Sequence, residues 1–254
     1  MQQGSFTLNL VTRGRMFMNF LGLRNEKVFA IGFNKCGTTS LHTLFTSLGR
    51  PSFHGEEWRS CEESKILQIH DCFSDGIPSN LEKLDKMYPN SQYILQLRDL
   101  ESWVFSRLKH IAREKQLNTH RPHSEWDDNL DAVKSWIVKR NKYHLFVLSY
   151  FSDRDKDLLL VNFIRDRDAA TKVCRFLGHE GDFDRPDRNK SKENSVIDSH
   201  RQLLRQACRE LGVPDNEAAY DIYCPSLASA EERESYLCDS GNLTRVFPAH
   251  QSSN

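Results

Sequence analysis

The residues best placed to do chemistry fall in one short run, Gly32-Phe33-Asn34-Lys35-Cys36-Gly37-Thr38-Thr39-Ser40. The run follows Lys27–Gly32 (KVFAIG), a short β-branched and aromatic stretch that reads as a buried strand. It precedes Thr38–Leu48, where Leu41, Leu44, Phe45 and Leu48 recur at the spacing of one apolar helix face. A tight glycine-bounded loop between a strand and a helix turns successive backbone N–H groups towards one point, and the helix dipole adds positive potential there. That chemistry is anion binding, and Lys35 puts a cation inside the loop.

The loop differs in one respect from the triphosphate-binding form GxxxxGK[ST]. The residue after the second glycine is Thr38, and the lysine has moved upstream to Lys35. No acidic partner for magnesium follows an apolar run. A second candidate anion site lies about 60 residues on, in YILQLRDLESWVFS, where Arg98 ends an apolar strand pattern and Ser106 follows eight residues later in a helical one. A guanidinium at the carboxyl edge of a parallel sheet can fork onto a phosphate. Taken alone, Arg98-Asp99 would more often be a surface ion pair.

The two motifs together resemble the sulfotransferases that use 3'-phosphoadenosine 5'-phosphosulfate (PAPS). Lys35, Gly37, Thr38 and Thr39 match the family's P-K-S-G-T-T loop, Asn34 and Cys36 depart from it, and Arg98 with Ser106 matches its 3'-phosphate pair. The likeness runs over residues 27–178 and is similar to a bacterial-type cytosolic branch. It includes the segment from Asp71 to Pro78 and a VCRFLG run at Val173–Gly178. The resemblance implies a metal-independent, in-line transfer of a sulfuryl group from PAPS to an acceptor hydroxyl or amine. Lys35 would stabilise the leaving oxygen, while Cys36, Gly37, Thr38, Thr39 and Ser40 hold the 5' end and Arg98 and Ser106 the 3'-phosphate. Arg188 and Lys190 correspond to a basic loop that covers that phosphate. Asp75 stands where relatives carry their base, with His70 and Asp71 as rivals; Asp75 could instead brace the Pro78 turn. The implied acceptor is a small molecule or carbohydrate. A small-molecule kinase using ATP and magnesium, or a non-catalytic nucleotide-binding module, would share the cradle.

Other clusters point less far. Cys36 beside Lys35 has the setting of a lowered thiol pKa but no His and Asn pattern around it. His120 and His123, with His110 nearby, have a spacing that admits a metal but sit in a Pro-containing polar loop. Trp126 could contact an acceptor, and Trp58 could face adenine.

These groups need a frame, and the rest of the chain supplies its pattern. Strands are expected at Ile66–Ile69, Gln92–Leu97 and Asp157–Phe163, and helices at 79–87, 100–115, 129–150, 169–177 and 196–211. Strands alternating with helical segments predict an α/β fold: a P-loop-type three-layer sandwich with a central parallel sheet flanked by helices. One domain over 1–254 is expected, with a core at 27–178 and a cofactor-covering loop, helix and tail at 179–254.

Composition sets the outer limits. Thirty-five Lys and Arg balance 35 Asp and Glu, so a broad nucleic-acid-binding surface is not expected. No apolar run approaches the ~18 residues of a membrane span. The N-terminus lacks the pattern of a secretory signal, and seven scattered Cys without a CxxC read as reduced thiols in a cytoplasmic protein.

Overall fold

Three buried residues, Val28–Ala30 (β1), form the centre of the sheet, and their alternation sorts the core into two faces. In this computed structural model the described residues are 2–22, 26–117, 119, 127–184, 186 and 198–236. They divide into two compact units, Met1–Gln96 with Arg154–Asn189, and Leu97–Asp153 with Lys190–Asn254.

The first unit holds a five-stranded, all-parallel sheet in the order β2-β3-β1-β4-β5. Its strands are β1, β2 (Ser52–His54), β3 (Cys72–Ser74), β4 (Gln92–Gln96) and β5 (Leu158–Val161). Val28 and Ala30 face one side with Ile94, Leu159 and Val161. That side is covered by Leu41, Leu44 and Phe45 of α2 (Thr38–Ser47) and by an Ala/Val/Cys face later in the chain. Phe29 points the other way, its ring stacked at 5.1 Å on Phe73 and 5.7 Å on Tyr93, with Trp58 at 5.9 Å. Removing such a buried ring costs about 3–5 kcal/mol. From β1 the sheet builds towards β2 and from β4 towards β5, so β1 and β4 flank the point where strand order reverses. In open α/β sheets ligands bind at that point, beyond the carboxyl ends of the strands.

One expected strand is a helix. Ile66–Ile69 lies in α3 (Lys65–Ile69), started by Ser64, whose hydroxyl accepts from the Leu67 N–H at 3.2 Å. The strand is the next segment, Cys72–Ser74, buried at all three positions. Four residues are too few for periodicity to separate the two, and the cap decides. Helix α4 (Leu81–Met87) is capped in the same way by Asn80. A further helix, α1 (Gln2–Phe20), which the sequence pattern does not announce, precedes the sheet.

The second unit is helical, with α5 (Leu100–Gln116) and α6 (Leu130–Tyr150) capped by Asp99 and Asn129. The Arg107 guanidinium lies 5.2 Å from the Trp103 ring and 4.3 Å from that of Trp136, joining the two helices by cation–π contacts. The first unit is completed by α7 (Ala169–Phe176), which supplies Ala169, Ala170, Val173 and Cys174 to the core, and the second by α8 (Asp198–Leu211) and α9 (Ala230–Ser235). On one turn and the next of α6, Arg140, Asn141 and His144 grip the backbone of 220–224. Among the described residues the cysteines are buried, and no helix is long and apolar enough to cross a membrane.

Candidate active site

The loop after β1 is fixed from both ends. Gly32 donates its N–H to the Gln96 side chain at 2.6 Å, and a Cβ there would sit 2.4 Å from the Gln96 carbonyl oxygen, so only glycine allows β1 and β4 to close at this point. Lys35 has φ 68° and Gly37 φ 90°, two left-handed residues that fold the loop over the start of α2. A Cβ on Gly37 would meet Phe163 at 3.2 Å.

Gly37 occupies the N-cap position of α2 with no side-chain cap, and the first turn carries no acid. Most helices satisfy their leading N–H groups with a Ser, Thr, Asp or Asn oxygen. Here that end holds roughly half a positive charge with its N–H groups uncapped, next to Lys35 and the hydroxyls of Thr38, Thr39 and Ser40. The residues present therefore fit an anionic group such as a phosphosulfate. Cys36 is buried beside them.

Asp75 follows β3 directly, so it leaves the sheet at the same edge as the loop, one strand over from β1. Its φ of 96°, followed by Gly76 at 115°, is a conformation that side chains rarely adopt. Strained non-glycine backbone of this kind collects at functional sites. Arg59 packs against Gly76, and Trp58 donates to the Ser74 carbonyl at 3.0 Å, holding the turn.

His70 and Asp71 are at the other end of β3, because the residues before them form α3 and not a strand. His70 shares a 3.0 Å bond between Nδ1 and the Ile66 carbonyl, and burial holds its pKa below the usual value. Asp71 is fully buried; its carboxylate accepts from Asn19 and pairs with Arg15 at 3.8 Å, both on α1. Their place is the amino-terminal edge of the sheet, away from the loop.

His54 was not singled out from the sequence. It ends β2, and its ring links Ser74 (Nδ1, 3.0 Å) to Thr39 (Nε2 to Oγ1, 3.4 Å). The ring thus ties the last residue of β3 to the first turn of α2. It stacks on His42 at 5.4 Å, and burial followed by the His54 charge lowers the His42 pKa.

In the second unit Arg98 is half-buried, one residue before the N-cap of α5. Asp99 is that cap, its carboxylate accepting from the Ser102 N–H at 2.8 Å, which accounts for the Arg-Asp pair as a helix start. The Arg98 carbonyl accepts from Arg140 at 3.1 Å, and Ser106 is half-buried in the second turn of α5.

Trp58 is fully buried among Phe29 and Phe73, a core residue and not an adenine platform. Arg188 and Lys190, with Asn189, and His120, His123 and Trp126 lie outside the described residues. His110 pairs with Glu114 at 3.1 Å within α5. Among the described residues no three His, Cys, Asp or Glu side chains gather to hold a metal ion.

Residues 27–211 match the family described as Sulfotransferase domain. Among solved structures, one match is the crystal structure of a sulfotransferase from Alicyclobacillus acidocaldarius, 17% identical, with a TM-score of 0.46 over 72% of this chain and 93% of that one. Among curated proteins none matches.

Proposed function

We propose that this chain, which belongs to the sulfotransferase domain family, is an enzyme that transfers a sulfuryl group from PAPS to a hydroxyl or amine of a small-molecule or carbohydrate acceptor. The observation that carries the reading is the α2 N-terminus: uncapped, free of acid in its first turn, and wrapped by left-handed Lys35 and Gly37 at the carboxyl end of the central strand.

PAPS supplies the sulfuryl group; its bond to the 5'-phosphate oxygen breaks as a bond from sulfur to the acceptor oxygen or nitrogen forms. The protein's part is positioning and electrostatics, as in phosphoryl transfer. The α2 N–H groups and the hydroxyls of Thr38, Thr39 and Ser40 hold the anion. Lys35 stabilises the oxygen that takes the electron pair. Asp75 accepts the acceptor's proton. Arg98 and Ser106 bind the 3'-phosphate, by the family resemblance. A sulfuryl group carries less charge than a terminal phosphoryl group, so the reading needs no magnesium.

The test is turnover with sulfur-labelled PAPS over a panel of sugars, phenols and amines in the presence of a chelator. Label should pass to an acceptor and the bisphosphate should accumulate, and Asp75→Asn should abolish both. Phosphoryl transfer from ATP that needs magnesium would instead establish the kinase reading.

A further inference from the structure

The second half of helix α1 turns polar side chains inwards and leaves apolar ones in solvent. Thr12, Arg15 and Asn19 face the sheet: Thr12 bonds the Gly49 carbonyl at 3.5 Å, Asn19 the Ile69 carbonyl at 3.1 Å, and Asn19 and Arg15 both reach the buried Asp71. Among the described side chains of this segment, the large apolar ones other than the half-buried Met16 face outwards. Leu10 is 54% exposed, Phe17 62%, Phe20 59% and Leu21 50%, with Val11 and Met18 beside them. At ~100° per residue Leu10, Phe17 and Leu21 fall within about 40° of one another, so these residues form one face. Other large apolar residues exposed among the described positions are scattered singly, at Leu117, Phe146 and Ile164.

The charge on this segment says what covers it. Residues 1–25 contain Arg13, Arg15 and Arg24 and no Asp or Glu, in a chain whose net charge is zero. Arg13 is exposed and lies four and seven residues before Phe17 and Phe20, within the apolar face itself. A second copy docked through α1 would bury this guanidinium against a segment with no carboxylate to pair with it, which is costly. A bilayer surface receives the same pattern without that cost. Phenyl and leucyl groups enter the acyl boundary while the arginine extends to phosphate or carboxylate headgroups.

We propose that the outward face of α1 docks the enzyme on an anionic lipid bilayer, lying in the interface plane without spanning it. Asp71, through Asn19 and Arg15, sets the rotation of α1 that presents this face.

The experiment is co-sedimentation of the full chain with vesicles of phosphatidylcholine alone or with about 30% phosphatidylserine, at low and high salt. Binding should require the anionic lipid and weaken with salt. Phe17→Ser/Phe20→Ser/Leu21→Ser should reduce it by about tenfold or more, and Arg13→Gln by a few-fold. These positions are exposed, so the variants should keep the wild-type circular dichroism and melting temperature. With Phe17→Trp, anionic vesicles should shift the fluorescence to the blue. Failure of the wild type to sediment with either vesicle would overturn the proposal. So would a dimer, seen by light scattering, that the serine variant dissociates and that ignores lipid; the face would then belong to a second copy. None of these readouts depends on PAPS.

Discussion

Acidification should release the grip that α6 keeps on Arg98, and His144 sets the pH at which this begins. His144 is fully buried and its Nδ1–H donates to the Ile222 carbonyl. Burial, reinforced by the neighbouring Arg140 charge, pushes its pKa down to about 3 from the ordinary 6.5, against the raising effect of that hydrogen bond. The fold thus favours the neutral ring, and the unfolded chain binds more protons between the two values. The contribution is complete above about pH 6.5, falls as pH drops below it, and stops changing below about pH 3. The loss is about 2 kcal/mol by roughly pH 5 and about 3 kcal/mol by roughly pH 4. One turn before His144, Arg140 donates to the carbonyls of Arg98 at 3.1 Å and Tyr220 at 2.9 Å, and also to that of Asp221. Loosening His144 therefore loosens the segment that seats the proposed phosphate arginine. The assay is urea unfolding against pH for the wild type and His144→Asn, whose amide can donate to Ile222 but does not titrate. The variant starts less stable because it leaves a small void, so the comparison is of slopes. Wild-type stability should fall more steeply than the variant's below about pH 6.5 by the amounts given. Equal slopes would refute the reasoning.

Gly37→Ala must hold φ 90° with a side chain and press on Phe163; it should cost about 1–2 kcal/mol in a melt and weaken bisphosphate binding by more than that stability loss explains. Asp71→Asn should expose α1 to proteolysis and hydrogen exchange while transfer activity survives, whereas Asp75→Asn should keep bisphosphate binding and lose turnover. His54→Phe should weaken bisphosphate binding several-fold, about 1 kcal/mol, by freeing the Thr39 hydroxyl from its ring partner. His54→Gln should recover part of that loss, and in a Thr39→Ala background the His54 effect should vanish.

The long periodic elements were legible because periodicity over three or more turns is unambiguous: the α6 pattern from Ala132 to Val147 and the QYILQ strand stand within a residue or two of their expected bounds. Short elements were not. Ser52–His54 and Cys72–Ser74 have three residues each, too few for alternation to show, and their strand character comes from pairing with neighbours distant in sequence. Reading Ile66–Ile69 as the strand placed His70 and Asp71 at the carboxyl edge of the sheet, when β3 begins after them. Helix α1 was not legible because Val11 and Met16 fall off the stripe marked by Leu10, Phe17 and Leu21, which weakens the 3.6-residue period. The cradle was legible, since Gly32, Lys35 and Gly37 lie within one short run of the chain. The supports from Gln96 and His54 were not, because they reach the loop from 64 and 15 residues away.

The proposed activity requires a loop that holds a phosphosulfate and not a magnesium triphosphate. Calorimetric titration with 3'-phosphoadenosine 5'-phosphate, set against ATP with magnesium, tests this most directly. Micromolar binding of the bisphosphate, weakened in both Lys35→Ala and Arg98→Ala and not matched by ATP, is the predicted result. Tighter binding of ATP with magnesium, or bisphosphate binding indifferent to both substitutions, would contradict it.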